Sequence, residues 1–322
     1  MNTEICSTII IPNYNGMKYI GKCLASLEGE PADILVVDNG SGDGSPEFVA
    51  EKYPRVKLLR LDRNYGFCGA VNRGVEQIKT TYVILLNNDT EAEPGLVRAL
   101  EEPLRQDARI FSGSAQMLNL HHPELIDDAG DYYCALGWAF ALGKDKPRQN
   151  YQRARSIFAA CGGAAIYRRE LFEAMGMLDE NHFAYLEDID LGYRAGICGY
   201  YNLYIPQAVV YHAGSGSSGS RYNEFKVDLT SRNSVYLVYK NMPFLQILLN
   251  LPFLIAGFGI KTLFFMKKGY GGTYVKGLWK GIMLCASEEG RTRRVRFRAA
   301  HMPNYVKIQL ALWRNIWYRF AG

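Results

Sequence analysis

Within its first ninety residues the chain alternates between two hydrophobic periods, and that alternation constrains the fold more than any other feature. Residues 7–12, Ser-Thr-Ile-Ile-Ile-Pro, form a short β-branched run stopped by proline, the pattern of a strand buried on both faces. Ile20, Cys23, Leu24 and Leu27 then recur at helical spacing. Residues 34–38, Ile-Leu-Val-Val-Asp, predict a second buried strand, and Ser45 and Pro46 the N-cap and first position of another helix. Residues 56–61 predict a third strand and residues 82–86 a fourth, with Ala70, Val71, Gly74, Val75 and Ile78 as the inner stripe of a helix between them. Strands alternating with helices in this way predict a doubly wound α/β sheet. Such sheets bind ligands beyond the carboxyl ends of their strands. Pro12-Asn-Tyr14-Asn15, Asp38-Asn-Gly-Ser41 and Asn87-Asn88-Asp89 occupy those ends, so all three polar clusters are expected to face one crevice.

At 322 residues the chain has room for one large domain plus an extension, and 48% hydrophobic against 21% charged residues excludes wholesale disorder. Its charge is unevenly spread. Residues 1–240 carry 24 Lys and Arg against 30 Asp and Glu, whereas residues 241–322 carry 13 against two, Glu288 and Glu289. A division into a catalytic domain, residues 1–240, and a basic, apolar helical extension, residues 241–322, follows. In the extension, residues 244–266 are apolar apart from Gln246, Asn250, Pro252 and Lys261. The length suffices to cross a bilayer, but the proline and lysine favour two short interfacial or re-entrant helices. Arg291, Arg293, Arg294, Arg296 and Arg298, followed by Trp313, Trp317, Tyr318 and Phe320, suit a headgroup layer. The plainer alternative is a helical appendage packed on the catalytic domain. The arginines accompany no nucleic-acid module, and no nucleic-acid partner is expected. Seven scattered cysteines without a CxxC pair favour a reducing cytosol, and the N-terminus enters a strand pattern without a charged-then-apolar leader.

The densest chemistry lies in residues 182–194, where Glu187, Asp188 and Asp190 fall within four positions of an apolar, aromatic segment. Carboxylates so placed repel and resist burial, which serves an enzyme that needs a base; a solvated helix start favoured by the helix dipole is the bland alternative. Asp38 can accept a hydrogen bond from the N3–H of a pyrimidine, or cap the turn at Asn39-Gly40. Residues 64–74 are glycine-spaced and enter a helix, which suits close backbone approach to a ligand or plain helix–sheet packing. Asp89 suits a hard divalent cation that also holds a diphosphate. His212, closing a strand predicted at residues 203–211, offers a second ligand better matched to Mn²⁺ than to Mg²⁺.

Taken together, Pro12-Asn-Tyr-Asn-Gly16, Val37-Asp-Asn-Gly-Ser41, the segment from Gly66 to Asn72, Asn87-Asn-Asp89, Cys161-Gly162-Gly163 and Glu187-Asp-Ile-Asp190 resemble the inverting family 2 glycosyltransferases of the GT-A fold. Within them the resemblance is to the rhamnosyltransferase-like branch that builds bacterial cell-surface polysaccharides, and it covers about residues 5–240. It implies a nucleotide-sugar donor, dTDP- or UDP-linked, held by Pro12, Tyr14, Asn15, Asp38, Asn72, Asn87, Asn88, Gly162 and Gly163. It further implies a divalent cation, Mg²⁺ or Mn²⁺, at Asp89 and His212, with Asp188 as catalytic base and Glu187 beside it. The motif departs from its relatives at Asn87, where they commonly carry Asp; Asn can bond a ribose hydroxyl but brings no charge. With the basic, apolar tail, the resemblance leads to a polyprenyl-diphosphate-linked saccharide acceptor at the inner face of the cell membrane. Two rival classes are a sugar nucleotidyltransferase, which the loop Asn13-Tyr-Asn-Gly-Met-Lys18 fits poorly for want of arginine, and a non-catalytic nucleotide-sugar-binding membrane subunit.

Overall fold

A computed structural model describes residues 5–214 and 222–321, and at its centre lies the isoleucine run of β1 (Ser7–Asn13), with Ile9, Ile10 and Ile11 fully buried. β2 (Asp33–Asp38) and then β3 (Lys57–Arg60) run parallel on one side of it, and β4 (Tyr82–Leu86) runs parallel on the other. Connections are made by α1 (Ile20–Ser26), α2 (Ser45–Lys52) and α3 (Gly66–Val75). From β1 the chain moves outward through β2 to β3 and then crosses back to β4 on the other side of β1, which makes the carboxyl ends of β1 and β4 a switch point where a crevice opens.

Past β4 the sheet becomes mixed. β5 (Thr90–Ala92), α4 (Leu96–Gln106), β6 (Ile110–Asn119) and β7 (Ile126–Asp128) are followed by a separate pair, β8 (Asp131–Cys134) and β9 (Trp138–Ala141). Then come β10 (Arg155–Ile157), β11 (Ala164–Arg168), α5 (Arg169–Ala174), α6 (Glu187–Ile197) and β12 (Tyr201–His212). The ten-stranded sheet runs β10-β12-β6-β11-β4-β1-β2-β3, with β5 on β12 and β7 on β6. β11 is antiparallel to both neighbours, whereas β12 lies parallel to β6.

Because strand side chains alternate, the sheet builds two cores. Ile10, Val37, Val83 and Leu85 pack under α3, and Ile9, Ile11, Val36 and Ile84 pack under α1 and α4. Gly74 lets α3 sit close, since a Cβ there would lie 2.9 Å from methyls of Ile10 and Val37. The α2 start differs from expectation by one residue. Gly44, in a left-handed conformation, is the cap, and Ser45 instead bonds through its hydroxyl to Asp43 at 2.6 Å.

Beyond β12 follow α7 (Glu224–Asn241), α8 (Phe244–Lys267), α9 (Gly271–Ala286), α10 (Glu288–Thr292) and α11 (Met302–Ala321). Residues 244–267 form one helix of 24 residues through Pro252, which corrects the expected pair of short helices. Side chains brace it on both sides of the proline. Asn250 exchanges amide hydrogen bonds with Gln309 at 2.8 Å, and Trp138 Nε1 donates to the Gly257 carbonyl at 3.0 Å. The helices from α8 onward also pack against earlier parts of the chain. Asn315 donates to the Tyr133 carbonyl at 2.9 Å, and Tyr193 donates to Gln246 at 2.7 Å.

Candidate active site

Asn13, at the end of β1, ties the first two polar clusters together. Its amide donates to Asp38 at 3.2 Å and to Ser45 at 2.8 Å, while its carbonyl accepts from Asn88 Nδ2 at 2.8 Å. Gly16 is demanded by this joint, because a Cβ there would collide with both the Asn13 and Asn88 side chains. Asp38 is buried and also accepts from the Ser41 backbone N–H at 3.2 Å, so it both closes the turn and presents a carboxylate at the crevice. Asn15, with φ of 50°, accepts from Gly42 N–H at 2.9 Å and leaves Tyr14 exposed at the rim. Pro12 is half-buried one residue before the joint.

Next to Asn88 stands Asp89, buried, with one carboxylate oxygen 3.4 Å from His212 Nε2. The two come together because β5 pairs with the end of β12, where His212 lies opposite Thr90. The other ring nitrogen, Nδ1, lies 2.7 Å from Asp127, which also pairs with Lys144. Burial works against charging the ring, but the bonds to Asp127 and Asp89 prevail and raise its pKa to about 9. A carboxylate oxygen and an imidazole nitrogen close together, with the second nitrogen fixed by another carboxylate, fit a divalent cation. Asn87 accepts from Thr90 through its backbone carbonyl, and its side chain lies beside Gly163, where a Cβ would stand 3.3 Å from Asn87 Nδ2.

Asp127 leads into a buried acid cluster. Asp128, Asp131 and Cys161 each bring one atom within 4.8 Å of the others. Burial first, and then the neighbouring acids, raise Asp128 to about 7 and Asp131 well above the carboxylate range. Asp131 neighbours Asp188, and sharing a proton between the two acids favours its place on Asp131; the Asp188 carboxylate accepts from the Ile189 N–H at 2.7 Å. Burial still raises Asp188 above the ordinary range. Glu187 is buried and pushed to about 8 by burial and by the Asp188 charge. Asp188 itself is half-buried, which leaves it open to a reacting partner.

The acid pair emerges from an unusual backbone. Phe183, Tyr185 and Leu186 have φ of 61°, 70° and 70°, conformations that cost of the order of 1–3 kcal/mol each for such side chains. Behind them Asp190 bonds to Arg194, Lys240 and Asn241; burial opposes its charge, but Arg194 and Lys240 hold it far below the usual carboxylate range. His182 is fully buried and kept neutral by that burial, with its pKa lowered to about 4. Glu187, Asp188 and Asp190 thus separate: Asp190 anchors α6, while the other two face the cluster.

A run of bonds and close neighbours therefore connects Asp38, Asn13, Asn88-Asp89, His212, Asp127-Asp128, Asp131 and Asp188 along one rim of the sheet. Asn72 stands apart from it. Its amide is engaged with the Leu178 backbone, donating and accepting at 2.9 and 3.1 Å, so it joins α3 to the acid segment. Sequence reasoning missed Asp127, Asp128 and Asp131, which lie on strands of three and four residues. The one available signal was a second acid-rich stretch, Asp127-Asp-Ala-Gly-Asp131.

A family model described as glycosyl transferase family 2 matches residues 8–176, about half the chain, and the chain belongs to that family. An N-acetylglucosaminyl-diphospho-decaprenol L-rhamnosyltransferase of Mycobacterium tuberculosis is 28% identical over 239 residues, covering 66% of this chain and 77% of the relative. Among solved structures, GalNAc-T7 with UDP, GalNAc and Mn²⁺ aligns with a TM-score of 0.59 at 19% identity, over 74% of this chain and 48% of that one. S. aureus TarS residues 1–349 with UDP-GlcNAc aligns at 0.57 and 16% identity, over 96% and 89%. These structural likenesses establish the GT-A fold. The protein is a family 2 glycosyltransferase.

Proposed function

We propose that the protein moves a sugar, with inversion, from a nucleoside-diphosphate sugar to a hydroxyl of a lipid-linked saccharide. The observation that carries this reading is the rim itself, where a buried Asp38, an Asp89–His212 corner and a half-buried Asp188 are linked through hydrogen bonds and close neighbours. Asp38 receives the base. The Asp89–His212 corner holds a divalent cation, which when bound supplies Lewis-acid stabilisation of the leaving diphosphate. Asp188 accepts the acceptor proton as that oxygen attacks the anomeric carbon from the face opposite the nucleotide. Protonated Asp131 steadies the Asp188 carboxylate by donating to it, and Glu187 lies alongside. A single displacement needs no covalent sugar–enzyme intermediate, so the anomeric configuration inverts.

Rhamnose as the sugar, dTDP or UDP as the carrier, and a polyprenyl diphosphate saccharide as the acceptor draw on the mycobacterial relative, whose name specifies a decaprenol-linked substrate. The extension supports acceptance at a membrane surface. Among the described residues one helix, α8, is long and apolar enough to cross a membrane. Yet Gln246, Asn250, Leu254, Gly257 and Phe265 form a buried stripe along it, and they touch the rest of the protein over most of its length. Its other face leaves Leu245 and Leu263 about 70% and 68% exposed, and Trp317 of α11 is 74% exposed. A helix fastened lengthwise to a water-soluble domain, with leucines outward and arginines nearby, suits lying in the interface at the inner face of the membrane.

The reading is tested by screening UDP-, dTDP- and GDP-sugars for Mn²⁺-dependent thermal stabilisation. One diphosphate sugar is expected to stabilise the wild type, with the effect lost in Asp89→Asn. Stabilisation indifferent to both Mn²⁺ and Asp89 would contradict the metal-dependent reading.

A further inference from the structure

The backbone carbonyls of residues 181 to 185, immediately ahead of the acid pair, are all held from outside the segment. Arg232 Nη2 donates to the carbonyls of Asn181 and His182 at 2.7 and 2.9 Å. Asn233 Nδ2 shares its two protons among the carbonyls of His182, Ala184 and Tyr185 at 2.9, 2.9 and 2.8 Å. The Phe183 carbonyl accepts from the backbone N–H of Cys68, at the start of α3, at 3.1 Å. Asn233 is fully buried in the middle of α7, a place where an apolar residue would ordinarily stand. Its amide is turned the right way by Arg232, whose Nε donates to Asn233 Oδ1 at 3.0 Å. This is the same segment in which Phe183, Tyr185 and Leu186 adopt left-handed backbone conformations, and a strained segment persists only where its surroundings over-determine it.

We propose that Asn233 is a positioning residue for sugar transfer: from α7 it clamps the left-handed segment 183–186 and so aims Glu187 and Asp188 at the acceptor. α7 is itself firmly seated. α9 meets it through Gly277 and Gly281, where a Cβ would collide with Ser231 and press within 2.6 Å of the Arg232 carbonyl, and Lys280 pairs with Asp228 at 2.7 Å. Lys240, at the other end of the helix, bonds to Asp179 and Asp190 at 2.7 and 2.9 Å on either side of the clamped segment. The helix that opens the C-terminal region is therefore part of the machinery that sets the base. The proposal rests on Asp188 being that base.

The test uses the full chain, Asn233→Asp, and Arg232→Met, which sits at the outer end of the clamp and cuts no deep hole. dTDP-rhamnose and a short-chain polyprenyl diphosphate N-acetylglucosamine serve as probes, with Mn²⁺ present. Donor affinity is expected to stay at the wild-type value, because Asp38 and Asp89 are untouched. The single-turnover rate constant, measured with enzyme in excess, is expected to fall on the order of 10²-fold in Asn233→Asp and by roughly tenfold in Arg232→Met. A role in stability alone would lower the amplitude and leave the rate constant of the folded fraction unchanged, and that result in folded variants would overturn the proposal. Asp188→Asn run in parallel separates the two readings. If it transfers sugar normally the base assignment fails; if it is inactive while both clamp variants keep the wild-type rate constant, the clamp fails by itself.

Discussion

Asp127 lies 2.7 Å from Nδ1 of His212 and fixes that ring so that Nε2 faces Asp89. An imidazole ligand whose second nitrogen is held by a carboxylate keeps its orientation and gains basicity. Asp127→Asn is therefore expected to weaken Mn²⁺ binding about 10- to 100-fold, as read by calorimetry. Unchanged Mn²⁺ affinity would show that the Asp127 bond does not serve the cation.

The same rim was partly legible in the sequence, and the reason lies in how each residue is placed. Asp38 and Asp89 end or follow strands so apolar that only one assignment was possible, and the polar residue after such a strand has to emerge at the crevice. Glu187 and Asp188 announced themselves by proximity to each other. Asp128 and Asp131 did not, because β7 and β8 are too short to show a period and their place depends on pairing with β6 and β9. Asn72 carried the right letter in the right motif, yet its amide is engaged with Leu178. Pro252 argued for a helix break that does not occur, because the braces at Asn250 and Gly257 come from residues far away in sequence.

Raised carboxylates make transfer sensitive to pH. Asp188 must be ionised to accept a proton, and burial lifts its pKa above the ordinary range. The rate is therefore expected to keep climbing with pH beyond about pH 5, where a free aspartate would already be ionised. A pH–rate profile that is flat from that point upward would show that no raised carboxylate governs the step.

Glu187 also links pH to stability. Its pKa moves from an ordinary 4.5 to about 8 in the fold, so the native state holds its proton more tightly than the unfolded chain does. The stability it contributes is full below about 4.5 and is lost as pH rises towards 8. Glu187→Gln, neutral throughout, is expected to lose less thermal stability than the wild type between those limits. Parallel melting profiles would contradict the raised pKa.

Exposed leucines and isoleucines of α8 provide the test of membrane seating. Burying each in lipid is worth about 1.5–3 kcal/mol, so Ile255→Glu and Leu263→Glu should each weaken vesicle binding by tenfold or more. Co-sedimentation with anionic vesicles measures this, and transfer to a short-chain soluble acceptor should be unaffected. Wild-type partitioning by the double variant would place the binding surface elsewhere.

The central claim, that Asp188 is the base of an inverting transfer, is met most directly by the rate of sugar transfer in Asp188→Asn, with donor affinity checked in the presence of Mn²⁺. The account predicts wild-type donor binding and a transfer rate lower by on the order of 10²–10⁴-fold. A folded Asp188→Asn protein that transfers sugar at close to the wild-type rate would contradict it.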